Sequence, residues 1–217
     1  MSPRTLALGL FLLAALPAVA ATIITQTATT NLGTLYAPVY AGWTQTSTYS
    51  GITITAMLAS DDPADTATGT GYLVNSQPPT TVASQVGSPG TPFSTNNTTF
   101  SPITLFTGLT LGPGTYYVVI SNGGDVLAQS SRPGSTTVTL GTGVTAGPDG
   151  VENGAENAYP PDTPFFIVSQ KEELLFSVTG TPVVTPVPAL SPWAMLATAI
   201  LLAGSGLLFV RQFKPAA

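Results

Sequence analysis

The chain contains no cysteine and no histidine among its 217 residues. Without cysteine it forms no disulfide, and without either residue the common Cys/His zinc sites are excluded. Mechanisms in which an imidazole moves a proton are excluded as well, including those of Ser–His–Asp and Cys–His enzymes. No motif in the chain predicts a cofactor.

Charged side chains are also scarce. They make up 7% of the residues, whereas about 25% is usual in globular proteins, so solubility depends largely on hydroxyl and amide groups. The basic residues are Arg4, Arg132, Lys171, Arg211 and Lys214. The part of the chain between the terminal segments contains two of these basic residues and all ten acidic residues, so its net charge is −8. Such a surface repels phosphates, and we expect no nucleic-acid binding.

The N-terminus has the pattern of a secretory signal peptide. Arg4 precedes an uninterrupted apolar run, Leu6–Leu16, which is short for a helix that spans a membrane with about 20 residues. A permanent anchor is the alternative, but small residues follow the run as at a signal-peptidase site. We predict a signal peptide over residues 1–20, with a cleavage site formed by Ala18, Ala20 and Ala21.

A second apolar segment, Trp193–Val210, contains no charged residue and approaches the length needed to cross the hydrocarbon core. Its first residue is a tryptophan, whose ring favours the headgroup region. Arg211 and Lys214 follow directly, and positive residues beside a span favour the cytoplasmic side. We therefore predict a transmembrane helix over 193–210, a cytoplasmic tail over 211–217, and a domain held outside the cytoplasm.

A short motif precedes this helix. Its residues are Val187, Pro188, Ala189, Leu190, Ser191 and Trp193. With the uncharged helix and the short basic end, the motif resembles the IPTL-CTERM sorting tail, a relative of PEP-CTERM found on exported proteins of Gram-negative bacteria. The family pattern is Ile-Pro-Thr-Leu-Ser-x-Trp, from which Val187 and Ala189 depart conservatively. The resemblance implies an exosortase-type transpeptidase as partner, cleavage near the motif and transfer to a surface acceptor, whereas the residues alone indicate a plain anchor.

The middle of the chain, residues 21–180, reads as short strands separated by turns rich in Gly and Pro. The predicted strands are Ile52–Thr55, Tyr72–Val74, Thr80–Val82, Ile103–Phe106, Thr115–Ile120, Thr136–Leu140, Phe165–Val168 and Leu174–Val178. No stretch of ten residues has a helical apolar period. We predict an all-β domain, an antiparallel β-sandwich or jelly roll. The arrangement of Trp43-Thr44-Gln45, a strand at Ile52 and the later segment Leu109–Tyr117 resembles that of extracellular choice-of-anchor domains, which implies the same fold class.

Three stretches have the composition of loops. Gln85–Asn97 is rich in Gly, Pro, Ser and Asn, and Gly147–Pro164 is acidic and rich in Pro and Gly. Residues 181–192 contain repeated prolines, which favour a stiff, extended linker. Asp61, Asp62 and Asp65 cluster around Pro63, a composition typical of a turn.

Two patterns are candidates for binding sites. Asp149, Glu152 and Glu156 supply hard oxygen ligands for calcium, but they lack the spacing of an EF-hand loop, so we interpret them as a solvated acidic loop. Four aromatic residues are candidates for a sugar-binding platform, although aromatic residues also dominate β-cores, which is the interpretation we favour. They are Tyr36, Tyr40, Trp43 and Tyr49.

Together these patterns predict an exported surface or extracellular-matrix protein, membrane-anchored or sorted, whose β-domain has no catalytic activity. A surface-displayed carbohydrate-binding module, with extracellular polysaccharide as its partner, is the alternative. A hydrolase that uses paired carboxylates is a third hypothesis. No acidic residue stands at a position that marks it as catalytic.

Overall fold

A computed structural model describes residues 19–36, 38–77, 85–87, 90–122, 125–132, 134–151, 172–183, 196 and 199–201. The chain divides into two compact units, residues 1–183 and 184–217. The first unit consists of two antiparallel sheets, which confirms the all-β prediction. None of the described residues belongs to a helix long and apolar enough to span a membrane.

Thirteen strands fall within the described ranges. They are β1 (Ala21–Ala28), β2 (Leu32–Tyr36), β3 (Val39–Gln45), β4 (Tyr49–Ser60), β5 (Ala67–Val74), β6 (Thr91–Thr95), β7 (Ser101–Leu111), β8 (Gly114–Asn122), β9 (Val126–Ser131), β10 (Thr136–Leu140), β11 (Val144–Val151), β12 (Glu173–Leu174) and β13 (Phe176–Pro182). Apolar and polar residues alternate along most of these strands. This pattern suits a strand because its successive side chains point to opposite faces of the sheet.

The larger sheet has the strand order β10-β1-β13-β4-β9-β12, with β2 on β9 and β7 on β4. Leu175 lies between β12 and β13 and joins two neighbouring strands. Its amide donates to the carbonyl of Gln129, and its own carbonyl accepts from the amide of Met57. This single residue therefore lets the chain pass from pairing with β9 to pairing with β4.

The smaller sheet has the order β11-β3-β8-β5-β6, and its central strand β8 has two apolar faces. Tyr116, Val118 and Ile120 belong to the main core, which also contains residues of the larger sheet. Tyr117 and Val119 belong to a second cluster with Tyr40, Val74 and Tyr72. The main core fills the space between the sheets, as in a β-sandwich.

One buried hydrogen-bond network joins the start of β8 to β3. The hydroxyl of Tyr116 donates to the carbonyl of Gly112 at 3.0 Å, so the ring folds back over the Gly-Pro-Gly turn as in a tyrosine corner. The indole of Trp43 donates to Oε1 of Gln45 at 3.0 Å. The Gln45 amide in turn donates to the carbonyls of Ser47, Leu111 and Gly112. The network satisfies buried polar groups that would otherwise destabilise the core.

Several predicted strands are confirmed. They are Ile52–Thr55 in β4, Tyr72–Val74 in β5, Ile103–Phe106 in β7, Thr115–Ile120 in β8 and Thr136–Leu140 as β10. The predicted strand Leu174–Val178 is interrupted at Leu175. The predictions at Thr80–Val82 and Phe165–Val168 lie outside the described residues. The strands β1, β2, β3 and β9 were not predicted.

Two loop predictions are wrong in part. The predicted loop Gln85–Asn97 includes the strand β6. Pro92 lies within β6 and hides the strand pattern in the sequence. Proline is tolerated there because β6 is an edge strand, whose outer N–H groups need no partner. Gly147–Pro164 begins inside β11, which continues to Val151. There the register shifts between Ala146 and Asp149, and such a bulge accommodates the glycine and proline between them. The remainder of that stretch lies outside the described residues.

The first and last strands set the limits of the paired part of the chain. The first residue that pairs in a sheet is Ala21, which lies opposite Gly180. The last strand continues through Thr181 and Pro182, which lie opposite Ser50 and Tyr49. The domain therefore extends two residues into the predicted linker.

Candidate functional site

Asp149 lies on β11, at the edge of the smaller sheet, and contacts two strands of the larger sheet. The register shift that precedes it places Asp149 opposite Ala41 of β3. Its carboxylate Oδ2 accepts a hydrogen bond from the amide of Leu174, at 3.2 Å. The Gln26 amide, oriented by its hydrogen bonds, donates to the same oxygen at 3.1 Å and to the Leu174 carbonyl at 2.7 Å. Asp149 thus links the edge of the smaller sheet to β1 and β12 of the larger sheet.

The second carboxylate oxygen of Asp149 is buried and makes no hydrogen bond. Part of the residue reaches solvent, but this atom does not. Burial raises the pKa of Asp149 to about 8, and repulsion by the charge of Glu173 acts in the same direction. The amides of Leu174 and Gly42 and the side chain of Gln26 lower the pKa by a smaller amount. The carboxyl group is therefore protonated in neutral solution, which is unusual for an aspartate.

A cleft of about 270 Å³ surrounds this carboxyl group. Its lining includes Glu172 and Glu173, which precede and begin β12, and the bulge residues Gly147 and Pro148. Glu172 is held in place because its Oε2 accepts a hydrogen bond from the buried hydroxyl of Ser130, at 2.6 Å. Three acidic side chains from two distant parts of the sequence therefore meet at one cleft.

The structure corrects the interpretation of Asp149 as part of a solvated loop. The residue lies in a strand, and its carboxyl group is buried because β1 and β12 cover it. Glu152 and Glu156, the other two members of the calcium candidate, lie outside the described residues. In the parts of the chain that the structure describes, no three acidic side chains are grouped closely enough to hold a metal by themselves.

The sequence did not identify Gln26, Glu172 or Glu173 as members of a site. The sequence does contain a signal for Gln26. This residue lies two positions after Ile24, on the same inward face of β1, and yet it is polar. Its side chain is 4% exposed, and a buried amide needs partners. For the two glutamates no local signal exists, since their position beside Asp149 depends on how β12 pairs with β9.

The aromatic platform is wrong for the three members whose side chains are described. Trp43 and Tyr49 are buried in the main core, where Trp43 packs against Tyr116 and Phe176, with ring centroids 5.7 and 6.4 Å away. Tyr40 is also fully buried, but it lies in the cluster on the opposite face of β3. The side chain of Tyr36 lies outside the described residues. The favoured interpretation as core residues is confirmed for Trp43 and Tyr49 in the main core and for Tyr40 in the second core cluster.

The cluster of Asp61, Asp62 and Asp65 forms a turn, as predicted. The carboxylate of Asp62 accepts a hydrogen bond from the amide of Ala64 at 2.8 Å. The hydroxyl of Ser60 donates to the backbone carbonyls of Asp62 and Asp65. These contacts are typical of aspartate in turns and leave no reason to assign a binding role.

The predicted targeting residues are mostly outside the described ranges. This applies to Ala18, to the whole sorting motif, and to Arg211 and Lys214. Ala20 and Ala21 are described, and Ala21 begins β1. No known protein family, curated protein or solved structure matches the chain.

Proposed function

We propose that this protein is an exported, surface-displayed β-domain whose C-terminal segment first anchors it in the membrane and is then recognised as a sorting tail. In this proposal the signal peptide is removed near Ala20, and an exosortase-type enzyme processes the motif that ends at Trp193. The displayed domain acts by binding or by structural support, without catalysis.

The observation that carries the proposal is the position of the sheets between the two apolar segments. The first paired residue, Ala21, directly follows the predicted cleavage site. The last strand ends at Pro182, shortly before the motif at 187–193. The folded unit therefore needs neither segment for its sheets, which supports a targeting role for both.

The pairing of β1 with β13 supports the proposed topology. Because the two strands are antiparallel, the start of β1 lies beside the end of β13, with Ala21 opposite Gly180. The predicted cleavage site and the start of the linker are therefore at the same end of the domain.

The described residues of the C-terminal segment agree with an apolar helix. Leu196 and Ala199–Leu201 are helical. The side chains of Leu196, Ile200 and Leu201 are 51%, 63% and 72% exposed. Leucine and isoleucine exposed on a helix favour an apolar environment, which supports the proposed anchor.

The cleft at Asp149 favours a domain without catalysis. A buried carboxyl group with a raised pKa is a common feature of active sites. However, one oxygen of Asp149 is held by two donors and the other is buried. We therefore assign the carboxyl group no reaction.

The test is mass spectrometry of the intact protein and of its terminal peptides, isolated from the envelope of its native cells. We expect an N-terminus at or next to Ala21 and a C-terminus between Pro188 and Trp193, with added mass from the surface acceptor. A chain that ends at Ala217 would contradict the sorting step and leave a plain anchor. A chain that begins at Met1 would contradict export by a cleaved signal peptide.

Matched variants assign the processing to the motif. Pro188→Ala changes the proposed recognition sequence, whereas Pro186→Ala removes a proline of the linker outside it. We expect the Pro188→Ala variant to retain its full C-terminus in the membrane fraction while the Pro186→Ala variant is processed normally. Equal processing of both would contradict recognition through the motif.

A further inference from the structure

The strand β10 differs from the other edge strands of the two sheets. Within the described residues, β2, β6, β7, β10 and β11 each pair with one neighbour only. Pro92, Pro102 and Pro148 lie in β6, β7 and β11, and Gly33 lies in β2. Such residues weaken further pairing at the edge of a sheet. In contrast, β10, Thr136–Leu140, contains no proline, glycine or charged residue, so it is the described edge with the least protection against another strand.

The backbone groups of β10 that point away from β1 follow from one hydrogen bond. The amide of Gly141, directly after the strand, donates to the carbonyl of Ile23 in β1 at 2.8 Å. In an antiparallel pair, residues whose N–H and C=O groups face the partner strand alternate along the chain. Every second residue counted back from Gly141 therefore faces β1, whereas the backbone groups of Thr136, Val138 and Leu140 point away from it. These three residues direct N–H and carbonyl groups outwards along the edge.

Two apolar side chains of β10 are exposed on the core face of the sheet. Val138 lies opposite Gln26 and Leu140 lies opposite Ile24, and both partners on β1 are buried. Directly opposite side chains share a face of the sheet, yet Val138 and Leu140 are 39% and 43% exposed. A further strand beside β10 would cover part of this apolar surface, which favours association.

We propose that β10 pairs antiparallel with β10 of a second copy of this chain, with Val138 opposite Val138 of the other copy. In this register Thr136 of each copy lies opposite Leu140 of the other. Each of the three residue pairs exchanges two backbone hydrogen bonds, and the resulting six bonds use all the outward groups of both strands. The contact is two-fold and self-complementary, and it joins the larger sheets of the two copies by strand addition.

The composition of β10 favours a second copy over a charged partner. The part of the chain between the terminal segments has a net charge of −8, so two copies repel each other. Because β10 has no charged residue, the seam adds no repulsion of its own and does not select a basic or an acidic partner. Threonine and valine also favour strands. Salt screens the general repulsion, and we expect pairing to strengthen as the ionic strength rises. The pairing does not depend on the proposed sorting.

The first test uses single cysteines, because the chain has none of its own. Full-length Val138→Cys, Thr136→Cys and Leu140→Cys are mildly oxidised in detergent, and disulfide-linked dimers are detected on a non-reducing gel. We expect Val138→Cys to cross-link with itself, since its two Cα atoms would be about 5.5 Å apart, within reach of a disulfide. The other two variants should fail alone, because like residues would be roughly 14 Å apart. They should cross-link when they are mixed.

The second test compares two substitutions of Val138. Val138→Pro removes the outward N–H group and leaves the hydrogen bonds to β1 in place, whereas Val138→Ala keeps that group and is the matched control. Dimer formation by the full-length chain is measured by analytical ultracentrifugation in the same detergent at about 0.5 M salt. We expect the dimer Kd to rise at least about tenfold in Val138→Pro, because two of the six backbone bonds are lost. The rise in Val138→Ala should be smaller.

Three results would overturn the proposal. The wild-type chain could remain monomeric under these conditions, or Val138→Pro could dimerise as tightly as the wild type, which would place the contact elsewhere in the chain. Thr136→Cys could also cross-link with itself as readily as Val138→Cys does, which would exclude the register. Circular dichroism checks the fold of each variant. If Val138→Pro does not fold, the cysteine pattern alone decides the outcome.

Discussion

The ring of Tyr117 lies over Gly42, its direct partner across the β8–β3 ladder. A β-carbon added at Gly42 would lie 2.6 Å from two carbon atoms of that ring. Gly150 and Tyr40 have the same relationship across β11 and β3, and Gly69 and Phe93 have it across β5 and β6. In each pair the aromatic ring covers backbone that glycine leaves open, a device that restores packing at glycine positions of sheets.

We predict that Gly42→Ala lowers the free energy of unfolding by about 1–3 kcal/mol, because the added methyl group forces the Tyr117 ring out of place. The measurement is urea unfolding followed by circular dichroism. Gly112→Ala is the control, since a β-carbon there meets no atom within 4 Å. Equal stability of the two variants would show that the packing of the Tyr117 ring does not require glycine at residue 42.

Tyr116→Phe should destabilise the protein by about 1 kcal/mol, because it removes one hydroxyl hydrogen bond to the carbonyl of Gly112. Tyr117→Phe provides the matched control on the adjacent residue, whose hydroxyl makes no hydrogen bond within the described residues. Its edge-on contact with Tyr40, at a centroid distance of 6.1 Å, is retained in phenylalanine. A larger loss of stability for Tyr117→Phe than for Tyr116→Phe would contradict a stabilising role for the Tyr116–Gly112 hydrogen bond.

Gln45→Leu should cost about 2–4 kcal/mol, since it leaves the Trp43 indole and the buried carbonyl of Leu111 without partners. The comparison is Gln129→Leu, which changes a half-buried glutamine that makes no side-chain hydrogen bond in the described part of the chain. Both are measured by chemical unfolding, with near-ultraviolet circular dichroism to follow Trp43. Similar stability of the two variants would show that the network contributes little.

The titration of Asp149 predicts a stability that depends on pH. Its pKa rises from 3.8 to about 8 in the fold, so between these values the folded chain holds a proton that the unfolded chain has released. The titration of Asp149 therefore lowers the free energy of unfolding as the pH rises from about 4 to about 8, by at most about 1.4 kcal/mol per pH unit. Above about pH 8 this contribution is constant. The measurement is unfolding across this range with chelator present.

Asp149→Asn tests this assignment, because the amide keeps the shape of the protonated acid and does not titrate. We expect it to be more stable than the wild type at pH values near 8, with the advantage disappearing towards pH 4. Asp125→Asn should follow the wild-type curve. An Asp149→Asn curve parallel to that of the wild type over the whole range would rule out this carboxyl group as the source.

The sequence predicted the β-structure well where strands have a clear alternation. Thr136–Leu140 and Thr115–Ile120 lie in strands as expected, because β-branched and aromatic residues pack well on a pleated surface. It missed β1, β2, β3 and β9, and also β6 and β11, which contain proline and glycine. Those residues are tolerated there only because β6 is an edge strand and β11 has a bulge, and both circumstances depend on neighbouring strands.

The candidate site was predictable only in part. Asp149 was selected for its acidic surroundings, but Glu172 and Glu173 follow it by more than twenty residues, and Gln26 precedes it by more than a hundred. Nothing in the spacing of these residues indicates that they meet. They do so because β11 lies at the edge of one sheet while β1 and β12 belong to the other.

By itself, the sequence determined the exclusion of histidine and cysteine chemistry and the all-β class, since these follow from composition and local periodicity, and it predicts a targeting role for the two ends. Only the tertiary structure decided which polar residues are buried. Trp43 and Tyr40 differ by three positions and lie on opposite faces of β3, and the Asp149 carboxyl group is neutral at pH 7 because strands from the other sheet remove water from it. Burial and charge depend on atoms brought close by long-range pairing, and no local pattern of residues contains that information.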